Sequence, residues 1–391
     1  MIKNEFLPER VFIERDILDS PHTRKILKKI GSVPQEVISD AQTLIDVIHR
    51  ARDAIREGKK FLLLARQRGG FVKPCPCTPG HVSCGYGNIN LDLNCPLDCS
   101  YCILQLYLSH SLPTIHVNHD DLLTQLDTFF RTRKGKPVRM GTGELGDSLA
   151  LDHLTGNART LVEYFRGKEP AVLELKTKTT NIRHLLSVRP AENAVISWSL
   201  NSAKIARDEE KGAPSIEERI QAAKIIASHG FPVGFHFDPL ILHPGWVEGY
   251  AEIIRMMLAA VPPSRIRWIS LGCLRFPPAL KPVMQTRFPG SKIIYEELIP
   301  GRDGKLRYFR PIRVGLYQRV LELIHEAGGE KIPVYLCMES AEIWRELAKK
   351  KGKGGFIASP FPFCCWLSLK PQKALIADSK AASRPFLFSS P

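Results

Sequence analysis

Short apolar segments alternate with amphipathic ones through the middle of the chain. Six apolar runs predict strands, at residues 87–93, 137–140, 171–176, 194–200, 232–237 and 266–271. Helical spacing marks the segments between them, such as residues 215–227, which open with Ser215 and Glu218 in a capping-box pattern. Strands that alternate with helices form parallel sheets through right-handed crossovers. Six such units predict an α/β fold, a partial (β/α)6 barrel.

A different pattern precedes the barrel. Residues 41–55 carry apolar side chains at helical spacing, which predicts a mostly helical N-terminal module. Residues 73–80 are rich in proline and glycine and predict an irregular linker. We therefore divide the chain into a module with its linker at 1–84, a barrel with C-terminal additions at 85–348, and a flexible tail at 349–391.

Composition indicates a location and a class of partner. No stretch approaches the roughly 20 apolar residues of a membrane span, and the N-terminus lacks the apolar region of a signal peptide. We therefore expect a cytoplasmic protein without a membrane partner, whose 10 cysteines are thiols or metal ligands. The net charge of +15 predicts a polyanionic partner, foremost DNA or another nucleic acid, because clustered Lys and Arg release counterions from phosphates.

Three cysteines carry the clearest chemical signal. Cys95, Cys99 and Cys102 have the C-x3-C-x2-C spacing that holds three irons of a four-iron four-sulfur cluster and leaves the fourth iron open. An open iron favours catalysis over simple electron transfer. With the aromatic Tyr101 before the third cysteine, the run resembles the radical S-adenosylmethionine superfamily. This resemblance implies a 4Fe-4S cluster and S-adenosylmethionine as cofactors.

A structural zinc site is the alternative for these thiols. Zinc would require a fourth Cys or His ligand, and Cys75, Cys77 and Cys84 are close enough in sequence to supply one. Their own spacing fits no common cluster, so we predict no second cluster there. A non-enzymatic, metal-stabilised nucleic-acid-binding protein is therefore the alternative function of a different class.

Polar residues follow the predicted strands, where the chemistry of such barrels gathers. They are the segments 141–144, 176–178, 199–201 and 236–238, and Cys273. Turns, helix caps and surface positions are the ordinary uses of such residues. Gly143 and Glu144 lie in a stretch that resembles the glycine-rich segment of the superfamily, which meets the amino group of S-adenosylmethionine.

The chain also resembles one family of that superfamily, spore photoproduct lyase, over residues 6–317. The landmarks occur in the same order, namely residues 6–12, 99–105, 152–155, 177–178, 184–186, 199–202, 245–246 and 249–250. The resemblance implies radical reversal of a methylene-bridged thymine dimer in DNA, with a reducing donor such as flavodoxin or ferredoxin. It also implies that Lys178 and Ser199 contact S-adenosylmethionine.

Two departures from the family put the substrate in question. Glu144 occupies the position of the lyase cysteine that donates hydrogen to the product radical, and Ile103 replaces a tyrosine, although Tyr101 remains. A carboxylic O–H bond is too strong for that donation. Either Cys273 or Cys337 supplies the missing thiol, or the enzyme acts on a different substrate, which includes one that is not a nucleic acid.

Overall fold

A computed structural model of the chain describes residues 5–75, 81–82, 85–133 and 135–349. The first part combines the predicted helices with three parallel strands. Its elements are β1 (Arg10–Glu14), a 3₁₀ turn (Arg15–Ile17), α1 (Pro21–Ile30), β2 (Gln35–Ile38), α2 (Ala41–His49), α3 (Ala54–Gly58) and β3 (Phe61–Ala65). Strand β1 pairs with both β2 and β3.

The three added strands were not identified from the sequence pattern. Side chains of β1 alternate between two apolar clusters: Val11 and Ile13 pack on one face of the sheet, and Phe12 packs on the other. Because both faces are covered, the strand is a continuous apolar run without the alternation that marks a half-exposed strand.

The next segment contributes strands both to the barrel sheet and to this first sheet. Its elements are β4 (Val72–Pro74), β5 (Gly87–Ile89), β6 (Asp92–Leu93), β7 (Asp98–Cys99), α4 (Leu104–Tyr107), β8 (Thr114–His116) and α5 (His119–Arg133). Strand β8 pairs with β3, and β6 pairs antiparallel with β8. Residues 94–113, here called the cysteine loop, therefore connect two strands that are hydrogen-bonded to each other.

The barrel follows as alternating strands and helices. Its elements are β9 (Val138–Gly141), α6 (Asp152–Thr155), α7 (Asn157–Phe165), β10 (Ala171–Thr177), α8 (Arg183–Leu186), β11 (Ala194–Ser199), α9 (Ala203–Glu209), β12 (Glu210–Lys211), α10 (Ile216–His229), β13 (Val233–Leu240), α11 (Trp246–Ala260), a 3₁₀ turn (Pro263–Arg265) and β14 (Ile266–Cys273). The capping box predicted at Ser215 and Glu218 is present.

The remaining elements extend the barrel. They are β15 (Arg275–Phe276), α12 (Leu280–Arg287), β16 (Leu298–Pro300), β17 (Leu306–Tyr308), α13 (Arg310–Glu326), β18 (Val334–Leu336) and α14 (Ala341–Lys349). Within the described residues, eight strands form a curled sheet in the order β18-β14-β13-β11-β10-β9-β5-β4. It is parallel from β5 to β18. Five of the six predicted strands lie in this sheet, and the first, at 87–93, is divided between β5 in this sheet and β6 in the N-terminal sheet. The partial-barrel fold is confirmed.

The division of the chain remains a prediction. Because β6 and β8 complete the N-terminal sheet, that sheet extends past the proposed boundary at residue 84. Apart from the backbone of Lys349, the predicted tail lies outside the described residues, as do Cys77 and Cys84. None of the helices described is both long enough and apolar enough to cross a membrane.

Candidate active site

Backbone pairing fixes the cysteine loop against the barrel. Strand β7 pairs antiparallel with β12, which puts Cys99 opposite Glu210. The Ser100 N–H donates to the Glu209 carbonyl at 2.8 Å, and the Ser100 hydroxyl donates to the Glu209 carboxylate. These contacts hold the middle of the C-x3-C-x2-C run at the carboxyl-terminal edge of the barrel sheet, close to the end of β11.

Two side chains hold the loop from the other side. The Gln105 amide donates to the carbonyls of Ser100 and Cys102 at 2.9 and 3.2 Å. Arg287, at the end of α12, donates to the Gln105 side-chain oxygen, to both Asp98 oxygens at 3.1 and 3.0 Å, and to Asp53 of the N-terminal part at 2.9 Å. Arg287 thus ties the loop to both halves of the molecule.

The three thiols suit a thiolate-bound cluster. Cys99 is buried, whereas Cys95 and Cys102 are half-buried and line one cavity of about 100 Å³. Burial raises the pKa of Cys99 to about 12, and the charge of bound iron would lower it. Among the described residues, no three Cys, His, Asp or Glu side chains converge on one metal ion. Cluster thiolates each bind a different iron and need not converge in this way.

A buried polar network lies directly against the loop. The Tyr101 hydroxyl donates to Glu210, and Glu210 forms an ion pair of 2.6 Å with Arg219, both side chains being at most 1% exposed. The Lys178 ammonium lies 5.7 Å from the centre of the Tyr101 ring. Burial opposes ionisation of Glu210, but the charges of Arg219 and Lys178 prevail and lower its pKa. Lys178 and Tyr101 therefore meet beside Cys99.

Asp147 organises the neighbouring strand ends. Its carboxylate accepts the Thr177 hydroxyl at 2.6 Å and the Lys178 N–H at 2.7 Å. A Cβ at Gly143 would lie only 3.3 Å from the Lys176 carbonyl, so a side chain there would crowd β10. Ser199, at the end of β11, is buried, and its carbonyl accepts from Arg219 at 3.1 Å. Gly143, Lys178 and Ser199 therefore lie on adjacent strands or the loops that follow them.

Further charged groups line the mouth of the barrel. Burial raises the pKa of Glu144, against the opposing charges of Lys73 and Lys176. Arg275 pairs with Asp238 at 2.8 Å and approaches the Cys337 sulfur at 3.7 Å. Burial and the Asp238 charge raise the pKa of Cys337 to about 12, so this thiol keeps its hydrogen at neutral pH.

The two spare thiols lie on opposite faces of the sheet. Side chains alternate along a strand, and a Cβ at Gly272 would touch Asp238 in the mouth. Cys273 therefore points outward, where its N–H donates to the Tyr317 hydroxyl on α13 at 2.9 Å. Cys337 shares the inner face with Tyr335, which accepts from Arg139 inside the barrel. The mouth contains Cys337 and not Cys273.

Several site residues were missed from the sequence. Lys176 stood in the selected segment 176–178, but only Lys178 was given a role there. Asp238 stood in a selected segment without a role, and its partner Arg275 starts a later strand. Arg219 and Arg287 lie within helices and reach the loop only through tertiary packing, so no local pattern marks them.

Comparison with known proteins identifies relatives along most of this chain. A family model described as spore photoproduct lyase matches residues 6–311. Spore photoproduct lyase of Bacillus subtilis (strain 168) is 27% identical over 303 residues, which cover 76% of this chain and 86% of that protein. The enzyme from Geobacillus sp. (strain Y412MC61) is 27% identical over 298 residues, or 75% and 86% of the two chains.

Solved structures share the fold. A cysteine-to-alanine variant of spore photoproduct lyase superposes with a TM-score of 0.75 at 23% identity, covering 86% of this chain and 100% of that one. A second variant, solved with AdoMet and dinucleoside spore photoproduct, has a TM-score of 0.72 at 23% identity and the same coverage.

Proposed function

Because the chain belongs to the spore photoproduct lyase family, we propose that it is a radical S-adenosylmethionine lyase acting on a thymine-dimer-type lesion in DNA. One structural observation on this chain supports the proposal. The cysteine loop holds three thiols at the carboxyl-terminal edge of a partial barrel, where Lys178 and Tyr101 flank Cys99. Such an edge is where barrel enzymes carry out their chemistry.

We assign the cluster to Cys95, Cys99 and Cys102. When bound, the cluster and S-adenosylmethionine supply a carbon-centred radical that abstracts hydrogen from the substrate. The chain's own contribution is positional. Gln105 and Arg287 immobilise the loop carbonyls, and the strand pair of Cys99 with Glu210 keeps the thiols at the barrel edge.

Four residues are assigned to S-adenosylmethionine. The Glu144 carboxyl group at the mouth suits the cofactor's ammonium group, and Gly143 lets the preceding backbone pack closely against the Lys176 carbonyl of β10. Lys178 suits the cofactor carboxylate, and Ser199 offers a hydroxyl from the adjacent strand end. Asp147 keeps the Lys178 backbone in place at 2.7 Å.

We assign hydrogen return to Cys337, with Tyr101 as the remaining phenol of that path. Support comes from the position of Cys337 on the inner face and from its raised pKa, which keeps the S–H bond intact. The Cys337→Ala variant should release abortive products and turn over slowly, whereas Cys273→Ala, altered on the outer face, should give the normal product. Equal product distributions from the two variants would remove Cys337 from the mechanism.

Partners and location follow from the same chemistry. The net charge of +15 favours a nucleic-acid substrate, and a spore photoproduct lyase of known structure was solved with the dinucleoside lesion. Reduction requires a donor such as flavodoxin or ferredoxin. We propose a cytoplasmic location, in keeping with the thiols of Cys95, Cys99, Cys102, Cys273 and Cys337, which form no disulfide in the described part of the chain.

Glu144 favours a second candidate function. The family's hydrogen-donating cysteine is replaced here by a half-buried carboxyl group. A radical enzyme of this family with another substrate, within or outside nucleic acids, would use Glu144 purely for binding. Such an enzyme would cleave S-adenosylmethionine without repairing the thymine lesion.

The deciding experiment uses anaerobically reconstituted protein. Dithionite and S-adenosylmethionine are added with and without a spore-photoproduct dinucleotide, and 5′-deoxyadenosine and thymine residues are quantified. Lesion-dependent repair is the expected result. Cofactor cleavage without repair supports the second candidate, and no cleavage by cluster-loaded protein refutes the radical mechanism.

A further inference from the structure

The cysteine loop has a second accessible side. The cavity that reaches Cys95 and Cys102 is bounded by the N-terminal part of the chain, through His49 and residues 54–59, and by residues 104–111. Among the described residues, none that line it belongs to the strand ends of the barrel mouth. This side reaches two of the cluster thiols through a cavity whose lining does not include Lys178.

Basic residues adjoin the cavity wall in sequence, and one of them, His49, lines the cavity. His49, Arg50, Arg52 and Arg56, here called the basic rim, are all exposed and come from the same short segment as the cavity wall. Within the described part of the chain, no carboxylate forms an ion pair with any of them. The nearby acids are occupied elsewhere: Asp53 pairs with Arg287 at 2.9 Å, and Glu57 with Lys60 at 2.7 Å. The three rim arginines therefore carry positive charge, which the Asp53 carboxylate offsets only at Arg56.

Exposed apolar side chains accompany the rim. Val47, on α2, is 60% exposed, and Tyr107, beside the cavity residue Leu108, is 53% exposed. Tyrosine and arginine are enriched at protein interfaces. Encounters between redox partners are small and are guided by complementary charge rather than by large apolar contacts. A compact positive rim with a few apolar groups matches this kind of interface.

We propose that the basic rim is the docking site of an acidic one-electron carrier protein, which reduces the cluster through the cavity behind Cys95 and Cys102. This rests on the proposed function, because it requires a cluster that must be reduced before each cleavage. The step transfers one electron from the reduced carrier to the cluster. The carrier is oxidised by one electron, and no bond forms or breaks.

Nucleic acid is the competing partner for positive charge. Substrate DNA must reach the barrel mouth, where Lys178 and Cys337 lie, whereas the cavity beside the rim is lined by His49, residues 54–59 and residues 104–111, and by none of these mouth residues. The rim and the mouth are therefore built from different residues. Position relative to the thiols therefore favours the electron carrier.

The test uses cluster-loaded full-length protein with three rim reversals combined: Arg50→Glu, Arg52→Glu and Arg56→Glu. A matched control reverses three exposed cations elsewhere, Lys224, Arg267 and Lys331, with the same change of net charge. Cluster reduction is followed by stopped-flow absorbance, with flavodoxin hydroquinone as the acidic carrier and photoreduced deazaflavin as a small uncharged reductant.

The rim variant should be reduced by flavodoxin at least about tenfold more slowly at low salt, with a flatter salt dependence, because steering by charge is lost. Deazaflavin should reduce all proteins alike. An unchanged flavodoxin rate in the rim variant, or an equal slowing in the control, overturns the proposal. So does a rim variant that loses only oligonucleotide binding. Failure of the proposed function is distinct: the deazaflavin-reduced natural protein would then form no 5′-deoxyadenosine.

Discussion

Arg287 offers the sharpest test of how the cysteine loop is held. Its side chain is only 7% exposed and reaches Asp53 at 2.9 Å and Asp98 at 3.0 Å, as well as Gln105. The Arg287→Ala variant removes all these contacts at once. We therefore expect both a less stable protein and a cysteine loop that loads less iron.

The size of the effect follows from burial. Breaking a fully buried pair costs about 3–5 kcal/mol. Here Asp53 and Asp98 remain 33% and 25% exposed, so water screens part of the loss. Lys59 also stays on Asp98 at 2.8 Å. We therefore expect a loss of about 2 kcal/mol in the free energy of unfolding.

Urea unfolding of the iron-free protein and iron and sulfide content after reconstitution are the two measurements. Arg302→Ala is the control, because this arginine is 78% exposed and pairs with Glu342 at 3.3 Å, and it should change stability by at most about 0.5 kcal/mol. Arg287→Lys should fall between the two, since an ammonium lacks the planar fork. Full iron loading of Arg287→Ala would refute the positioning role, and unchanged stability would refute the electrostatic reasoning.

Three other perturbations test separate parts of the structure. Burial lowers the pKa of His116 to about 4, so the unfolded chain takes up its proton first and stability falls as pH drops below about 6.5. Between pH 7 and pH 5, the natural protein should lose about 2 kcal/mol more of its free energy of unfolding than the His116→Leu variant, as measured by urea unfolding. An identical loss in both proteins contradicts this. The Glu210→Gln variant leaves the Arg219 guanidinium buried without its carboxylate partner, and should lose about 3 kcal/mol in the free energy of unfolding. A loss below about 1 kcal/mol would show that stability does not depend on this ion pair. Because burial raises the pKa of Glu144, S-adenosylmethionine binding measured by equilibrium dialysis should weaken on acidification at a higher pH than for an ordinary carboxyl group. Glu144→Gln should bind S-adenosylmethionine weakly at every pH. If that variant still showed the same weakening of binding on acidification, the titrating group would not be Glu144.

The barrel was predictable because its strands are short apolar runs separated by amphipathic helices, a local pattern. The strands around Val11 and Leu62 were not predictable, since both of their faces are buried and their sequences lack the alternation of apolar and polar residues that marks a half-exposed strand. The motif cysteines were found from their spacing, and Lys178 was found because it follows a predicted strand. Arg287 could not be found, since its partner Asp98 lies 189 residues away in sequence. The choice between Cys273 and Cys337 depended on strand register, which sequence does not supply.

The closure of the cysteine loop has a consequence for how iron enters the protein. The β6–β8 pairing aligns Leu93 with Thr114, so backbone hydrogen bonds, and not metal ligands, join the ends of this twenty-residue excursion. The entropy of closing that loop is a cost of folding the sheet, not of binding iron. Zinc fingers gather their ligands only as metal binds, and their apo chains are unfolded. We expect this chain instead to fold first and to accept a preassembled cluster from a donor, with little change in its far-UV circular dichroism on loading.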